Sequence, residues 1–376
     1  MIFEENNHIK FVISSVFKNN KKLGSKDRKF IANHSIELVR FFRKYSFRIE
    51  SNTFYESIVA NYFQDTATTD IPEWLQELCY KSTEVLTREA PFPIINSYPD
   101  WMSELLEEQL GTVQAHAEMK ALNQKALPVL RVNLLKSSVN QLSEILSTEG
   151  IAHEIINENL GAIELKERKD ISRLPAFQNG LFEMQDLGSQ YIAALLNPSP
   201  DTLTIDACAG AGGKTLHLAQ LMKNKGKIIS MDVVGKKLKE LEKRAIRNDI
   251  SIVKTELISN STISDYASTA DFLLLDVPCS GTGVLKRNPD DKWKLSSSRI
   301  QELAQIQEDI LTRYSIMLKP GGTMVYATCS ILPMENEHQV NKFLQNHPSY
   351  QLQEQKTILP SDGGDGFFMA KLLKTN

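Results

Sequence analysis

Four short apolar runs in the second half of the chain constrain the fold most. They are LTIDAC (203–208), KIISMDV (227–233), DFLLLDVP (271–278) and GGTMVYATC (321–329), with helical stretches between them. Strands alternating with helices in this way build a parallel, doubly wound α/β sheet. In such sheets, ligands bind outside the carboxyl ends of the strands. Asp206, Asp232, Asp276 and Cys329 all fall near expected strand ends, so the pattern predicts one shared cleft.

The stretch IDACAGAGGKT (205–215) follows the first of these runs. It carries the Gly-Lys-Thr ending of a nucleoside triphosphate loop, but the first glycine of that motif would fall at Cys208. A dinucleotide fingerprint would need a third glycine at Thr215. Neither motif is complete. Small residues still let a ligand approach the backbone, and the following helix offers free N–H groups. Asp232 lies at the end of the next run, 26 residues after Asp206. A carboxylate placed there suits ribose hydroxyls, which points to an adenosine-containing ligand.

Residues 1–125 read as helical, with apolar residues at helical spacing in SIELVRFFRKY and WMSELLEEQLG. Next, VLRVNLL (129–135), a helix, Gly150 and a second strand predict a small α+β domain over residues 126–175. The α/β domain is expected from 176 to 376. Net charge is only −3, but it is unevenly spread. Residues 1–50 hold 11 Lys and Arg against 5 Asp and Glu, and residues 51–110 hold 2 against 11. The basic start is suited to local RNA binding. No apolar run reaches the length of a membrane helix, and the start lacks the apolar core of a signal peptide.

The four cysteines, at 79, 208, 279 and 329, have neither zinc spacing nor a disulfide framework. No metal is expected, and a reducing cytoplasm is the simplest setting. A single buried cysteine is usually a small hydrophobe. Two at neighbouring strand ends, in DVPCSGTG and YATCSILPMENE, favour nucleophilic use over disulfide exchange.

These motifs resemble those of the Sun/Nop-type, RsmB-like RNA (cytosine-5) methyltransferases. DACAGAGGKT is similar to that family's cofactor loop, and the two cysteine motifs match its pair. FEMQDLGSQ (182–190), KRNPD (286–290) and DGFFMAKLL (365–373) also match, and LRVNLLKSS resembles its RRM-like segment. LGSKDRKFIANHSIELVR is similar to a NusB-like RNA-binding domain. The resemblance implies a Rossmann-like methyltransferase domain preceded by a ferredoxin-like domain and a helical domain. It implies S-adenosylmethionine as cofactor and RNA, most of all ribosomal RNA, as substrate, with the protein acting as a monomer.

Carried over residue by residue, the cofactor would be held by Cys208, Ala209, Gly210, Ala211, Gly212, Gly213, Lys214, Asp232, Asp276 and, near the adenine, Asn260. Ser259 and Asp265 are alternatives to Asn260. Ala211 stands where the family usually has proline. Cys329 would attack C6 of the cytosine, Asp276 would stabilise charge at N3, and Cys279 would assist release. Lys286 and Arg287 are candidates for phosphate contacts. Alternative readings are a transfer RNA cytosine-5 methyltransferase and a non-catalytic RNA-binding assembly factor.

Overall fold

A computed structural model describes residues 7–47, 49, 54–68, 71–73, 75–76 and 90–375. Cys79 lies outside the described residues. Contacts divide the chain into two units. One holds residues 1–124 and Leu285–Ser297, and the other holds residues 125–284 and 298–376.

The first unit is helical. Its longer helices are Ile9–Asn19, Ser25–Arg40, Phe54–Asp65, Asp100–Leu110 and Thr112–Leu122. The apolar periodicity of residues 35–45 spans two helices, because the chain leaves helical geometry at Phe41. Tyr45, Ile58, Tyr62 and Phe63 form the core beside Ser25–Arg40. The segment Leu285–Ser297 is built into this unit although it lies far along the chain. The Lys292 ammonium is 1% exposed and donates to the carbonyls of Arg40 and Ser97, both at 2.8 Å, and to Asn123 Oδ1 at 3.0 Å. The donation to Arg40 also satisfies the last carbonyl of that 16-residue helix. Burial drives the Lys292 pKa well down. Lys286 is also buried, and its carbonyl accepts from Arg40 Nη2. It is part of this packing rather than a free phosphate contact.

The second unit contains two sheets. The smaller has the order β2-β3-β1-β4, all antiparallel, from β1 (Val129–Val132), β2 (His153–Asn157), β3 (Ala162–Leu165) and β4 (Phe182–Met184). The helix Val139–Thr148 covers it, capped by Ser138 and Gln141 in a reciprocal box. Because β4 pairs with β1, this small sheet runs past residue 175 and takes in the start of FEMQDLGSQ.

The larger sheet has the order β10-β11-β9-β8-β5-β6-β7. Its strands are β5 (Leu203–Asp206), β6 (Lys227–Asp232), β7 (Val253–Leu257), β8 (Ala270–Asp276), β9 (Leu318–Thr328), β10 (Tyr350–Ile358) and β11 (Phe367–Lys374). Strands β5 to β9 run parallel, and β11 inserts antiparallel between β9 and β10. Helices cover both faces, so β5 and β8 read as nearly unbroken apolar runs. The order reverses between β5 and β8, and a crevice opens at such a switch point. No helix among the described residues is long and apolar enough to cross a membrane.

Candidate active site

A cleft of about 480 Å³ lies at the carboxyl ends of β5, β6, β8 and β9. The glycine loop forms its floor. After Asp206 the chain turns through 207–212 into the helix Gly213–Leu221. Gly212 has φ +88°, and a Cβ there would lie 2.4 Å from Leu241 Cγ, so the turn requires glycine. Gly210 has φ +55° and faces open space, with nothing within 4 Å of an added Cβ. A ligand can therefore approach that backbone closely.

Asp232 ties the loop to the next strand. Its two carboxylate oxygens accept from the N–H groups of Gly210 at 2.9 Å and Val234 at 2.8 Å. Other groups hold the loop's carbonyls. Arg244 Nη1 donates to Ala211 O at 2.7 Å, and Arg131 Nη1, from β1, donates to Gly213 O at 2.9 Å. Glu183 on β4 pairs with Arg244 at 2.9 Å and with Arg247. Burial lowers the Arg131 pKa to about 9, with the Glu183 charge opposing it. The small sheet thus braces the loop of the large one.

Of the expected loop residues, Cys208, Gly210 and Lys214 line the cleft. Ala209, Ala211, Gly212 and Gly213 shape the turn behind them. Asp232 and Asp276 line it too. Asn260 does not. It is exposed in the first turn of the helix Asn260–Asp265 and accepts from Arg313. The cleft wall beyond β7 comes two residues earlier, from Ile258. Val233, Ile310 and Tyr314 add to the apolar lining, and Asp232 and Lys237 to the polar lining. Apolar walls with a few convergent polar groups suit a nucleoside. No sequence motif marks these wall residues. Val233 directly follows Asp232, and Ile310 and Tyr314 are one helical turn apart, which are the only signals for them.

Asp206 stands behind the cleft rather than in it. It is fully buried and accepts from Thr215 Oγ1 at 2.7 Å. Burial, helped by the Asp276 charge, raises its pKa to about 7.

The two cysteines meet at the ends of adjacent strands. Cys279 follows β8 and Cys329 follows β9, and their Sγ atoms are 3.3 Å apart. The Cys329 N–H also points at Cys279 Sγ, at 3.3 Å. Lys214 Nζ donates to Asp276 Oδ2 at 2.6 Å. Burial alone would lower the Lys214 pKa, but the charge and hydrogen bond of Asp276, with Cys329 and Asp206 beyond, raise it. Lys214 therefore stays cationic within electrostatic reach of Cys329. The hydrogen bond with Cys329 and burial push the Cys279 thiol well above its ordinary range. The two sulfurs thus meet in the cleft that Lys214 and Asp276 also line, with the Cys279 thiol held protonated.

The family model of the 16S rRNA methyltransferase RsmB/F matches residues 193–373, and that of the ferredoxin-like domain of RsmF/B-like methyltransferases matches residues 98–172. A probable ribosomal RNA small subunit methyltransferase B of Synechocystis is 33% identical over 74% of this chain and 67% of its own length. Ribosomal RNA small subunit methyltransferase B of Serratia proteamaculans is 34% identical over 80% of this chain and 72% of its own. A solved methyltransferase homolog from Pyrococcus horikoshii superposes with a TM-score of 0.66 at 27% identity, over 75% of this chain and 97% of that one. The chain belongs to the RsmB/F family of 16S rRNA methyltransferases.

Proposed function

We propose that this protein methylates C5 of a cytosine in 16S ribosomal RNA through a covalent bond between Cys329 and C6. The family depends on S-adenosylmethionine, which supplies an electrophilic methyl group when bound. The open backbone at Gly210, the carboxylate of Asp232 and the walls Val233, Ile258, Ile310 and Tyr314 fit its adenosine part.

The observation that carries the reading is the meeting of the Cys279 and Cys329 sulfurs, 3.3 Å apart, in the cleft that holds the Lys214–Asp276 ion pair. Cytosine C5 is a poor nucleophile. Addition of the Cys329 thiolate at C6 breaks the C5–C6 double bond and moves electron density toward N3. Lys214 and Asp276 supply polar, charged groups at the base edge. C5 is then nucleophilic enough to be alkylated. Loss of the C5 proton restores the double bond and expels Cys329. The protonated Cys279 passes its hydrogen to the departing sulfur, and the C5 proton replaces it.

To test this, 16S rRNA lacking the modification is incubated with the protein and labelled cofactor, and nucleosides are separated by mass spectrometry. The label is expected in 5-methylcytidine and absent with Cys329→Ala. Label on a cytosine nitrogen or on ribose would overturn the reading.

The helical unit supplies RNA affinity. Lys18, Lys21, Lys22, Lys26 and Lys29 are all exposed on its first two helices and the turn between them. Replacing all five with Gln should weaken RNA binding and flatten its salt dependence, while cofactor affinity is unchanged. An unaltered salt slope would contradict it. Truncation at residue 124 is a poorer test, because it strips Leu285–Ser297 of its packing.

A further inference from the structure

Behind the cysteines lies a buried carboxylate that the proposed mechanism does not use. Glu335 sits in the turn Pro333–Glu335 and is 0% exposed. It accepts from the Ser280 N–H at 2.8 Å, from Ser280 Oγ at 2.5 Å and from Gln307 Nε2 at 2.9 Å. No ion pair involves it among the described residues, although burying an uncompensated carboxylate is costly. Gln307, also fully buried, donates to Pro278 O at 3.0 Å as well. The residues on both sides of Cys279 are therefore tied to Glu335.

The network continues to the other cysteine. Ser280 Oγ lies 3.3 Å from Ser330 Oγ, and Thr282 Oγ1 lies 2.9 Å from the same atom. The neighbouring Asn336 donates to Ser330 O at 3.0 Å. Both cysteine loops thus hang from one buried polar cluster, and a shift of its centre is felt by both sulfurs.

We propose that Glu335 is a positioning residue, fixing the main chain beyond Cys279 against that beyond Cys329 and so setting the separation of the two sulfurs. The proposal rests on the reading that the cysteines share one covalent cycle. The carboxylate's charge is also one of the groups that keep the Cys279 thiol protonated.

The test reads sulfur proximity without RNA. Diamide takes two hydrogens from a thiol pair and leaves a disulfide, which peptide mass analysis assigns to Cys279–Cys329. The rate is compared for wild type, Glu335→Ala, Glu335→Gln and Ser280→Ala. Glu335→Ala should cross-link roughly 10-fold more slowly and lose about 100-fold in kcat, with KM for RNA and cofactor within about twofold, as expected for misplacement near 1 Å. Glu335→Gln, which has the same shape and can still accept from Ser280 and Gln307, should restore most of both while lowering the pH at which Cys279 is alkylated. Ser280→Ala, a milder change, should fall between and serves if Glu335→Ala does not fold. Wild-type cross-linking in the folded alanine variants would overturn the proposal. Cys279→Ala with Glu335 intact is the control. If it forms no RNA adduct, the covalent reading fails, and the cross-linking result still decides the role of Glu335.

Discussion

The glycine loop after β5 and the cysteine loops after β8 and β9 occupy the same edge of one sheet, yet they are held in different ways. The glycine loop is held by its own backbone, with Asp232, Arg244 and Arg131 each taking one N–H or carbonyl. Its cleft side is left bare at Gly210. The cysteine loops are held by side chains, through a buried cluster of serine, threonine, glutamine and glutamate. A backbone held from behind leaves room for a ligand. A buried side-chain cluster ties the main chain beside two reactive atoms. Damage to the first should therefore appear in affinity, and damage to the second in rate.

The largest expected effect sharpens that contrast from the cysteine side. Cys329→Ala should remove methyl transfer while leaving cofactor binding within about twofold, because the transferring step and not the binding step is lost. Calorimetry beside a labelled-methyl assay checks both, and a variant that loses cofactor affinity as well would blur the division. Asp232→Ala is the counterpart on the glycine side. Losing a charged acceptor costs about 1.5–3 kcal/mol, so cofactor Kd should rise at least tenfold and kcat at saturation should change far less. A fall in kcat with unchanged Kd would reverse the assignment.

A smaller effect concerns Asp206, which supports the glycine loop from behind. Its folded pKa is raised to about 7 from 3.8, so the folded state holds its proton longer than the unfolded state. Its contribution is complete below pH 4, declines as pH rises to 7, and is lost above. Asp206→Asn should therefore gain a few degrees of Tm at pH 8 and gain nothing or lose at pH 4. Thermal melts across that range check the sign. An Asn variant less stable at pH 8 than at pH 4, relative to wild type, would contradict it.

Much of the large sheet was legible because period and composition mark buried parallel strands, and because Asp232, Asp276 and the two cysteines each follow an apolar run directly. The brace on the glycine loop was not legible. Arg131 and Arg244 reach Gly213 and Ala211 across 82 and 33 residues, and no local pattern encodes such a pairing. Asn260 lies outside the cleft lining for a related reason. Counting along the chain after β7 gives a polar residue, whereas the strand's direction brings Ile258 to the cleft. Leu285–Ser297 reads as a loop of the catalytic domain, but Lys292 and Trp293 find their acceptors in the N-terminal helices. Glu335 lies in a quoted motif, and only the fold reveals that it is buried.

Trapping the RNA adduct separates the roles of the two cysteines. Wild type, Cys279→Ala, Cys329→Ala and the double variant are incubated with unmodified 16S rRNA and cofactor, then run on a denaturing gel. A covalent protein–RNA band is expected with Cys279→Ala, which attacks and methylates but stalls at release, and none with Cys329→Ala or the double variant. A band with Cys329→Ala but not with Cys279→Ala would contradict this assignment and make Cys279 the nucleophile.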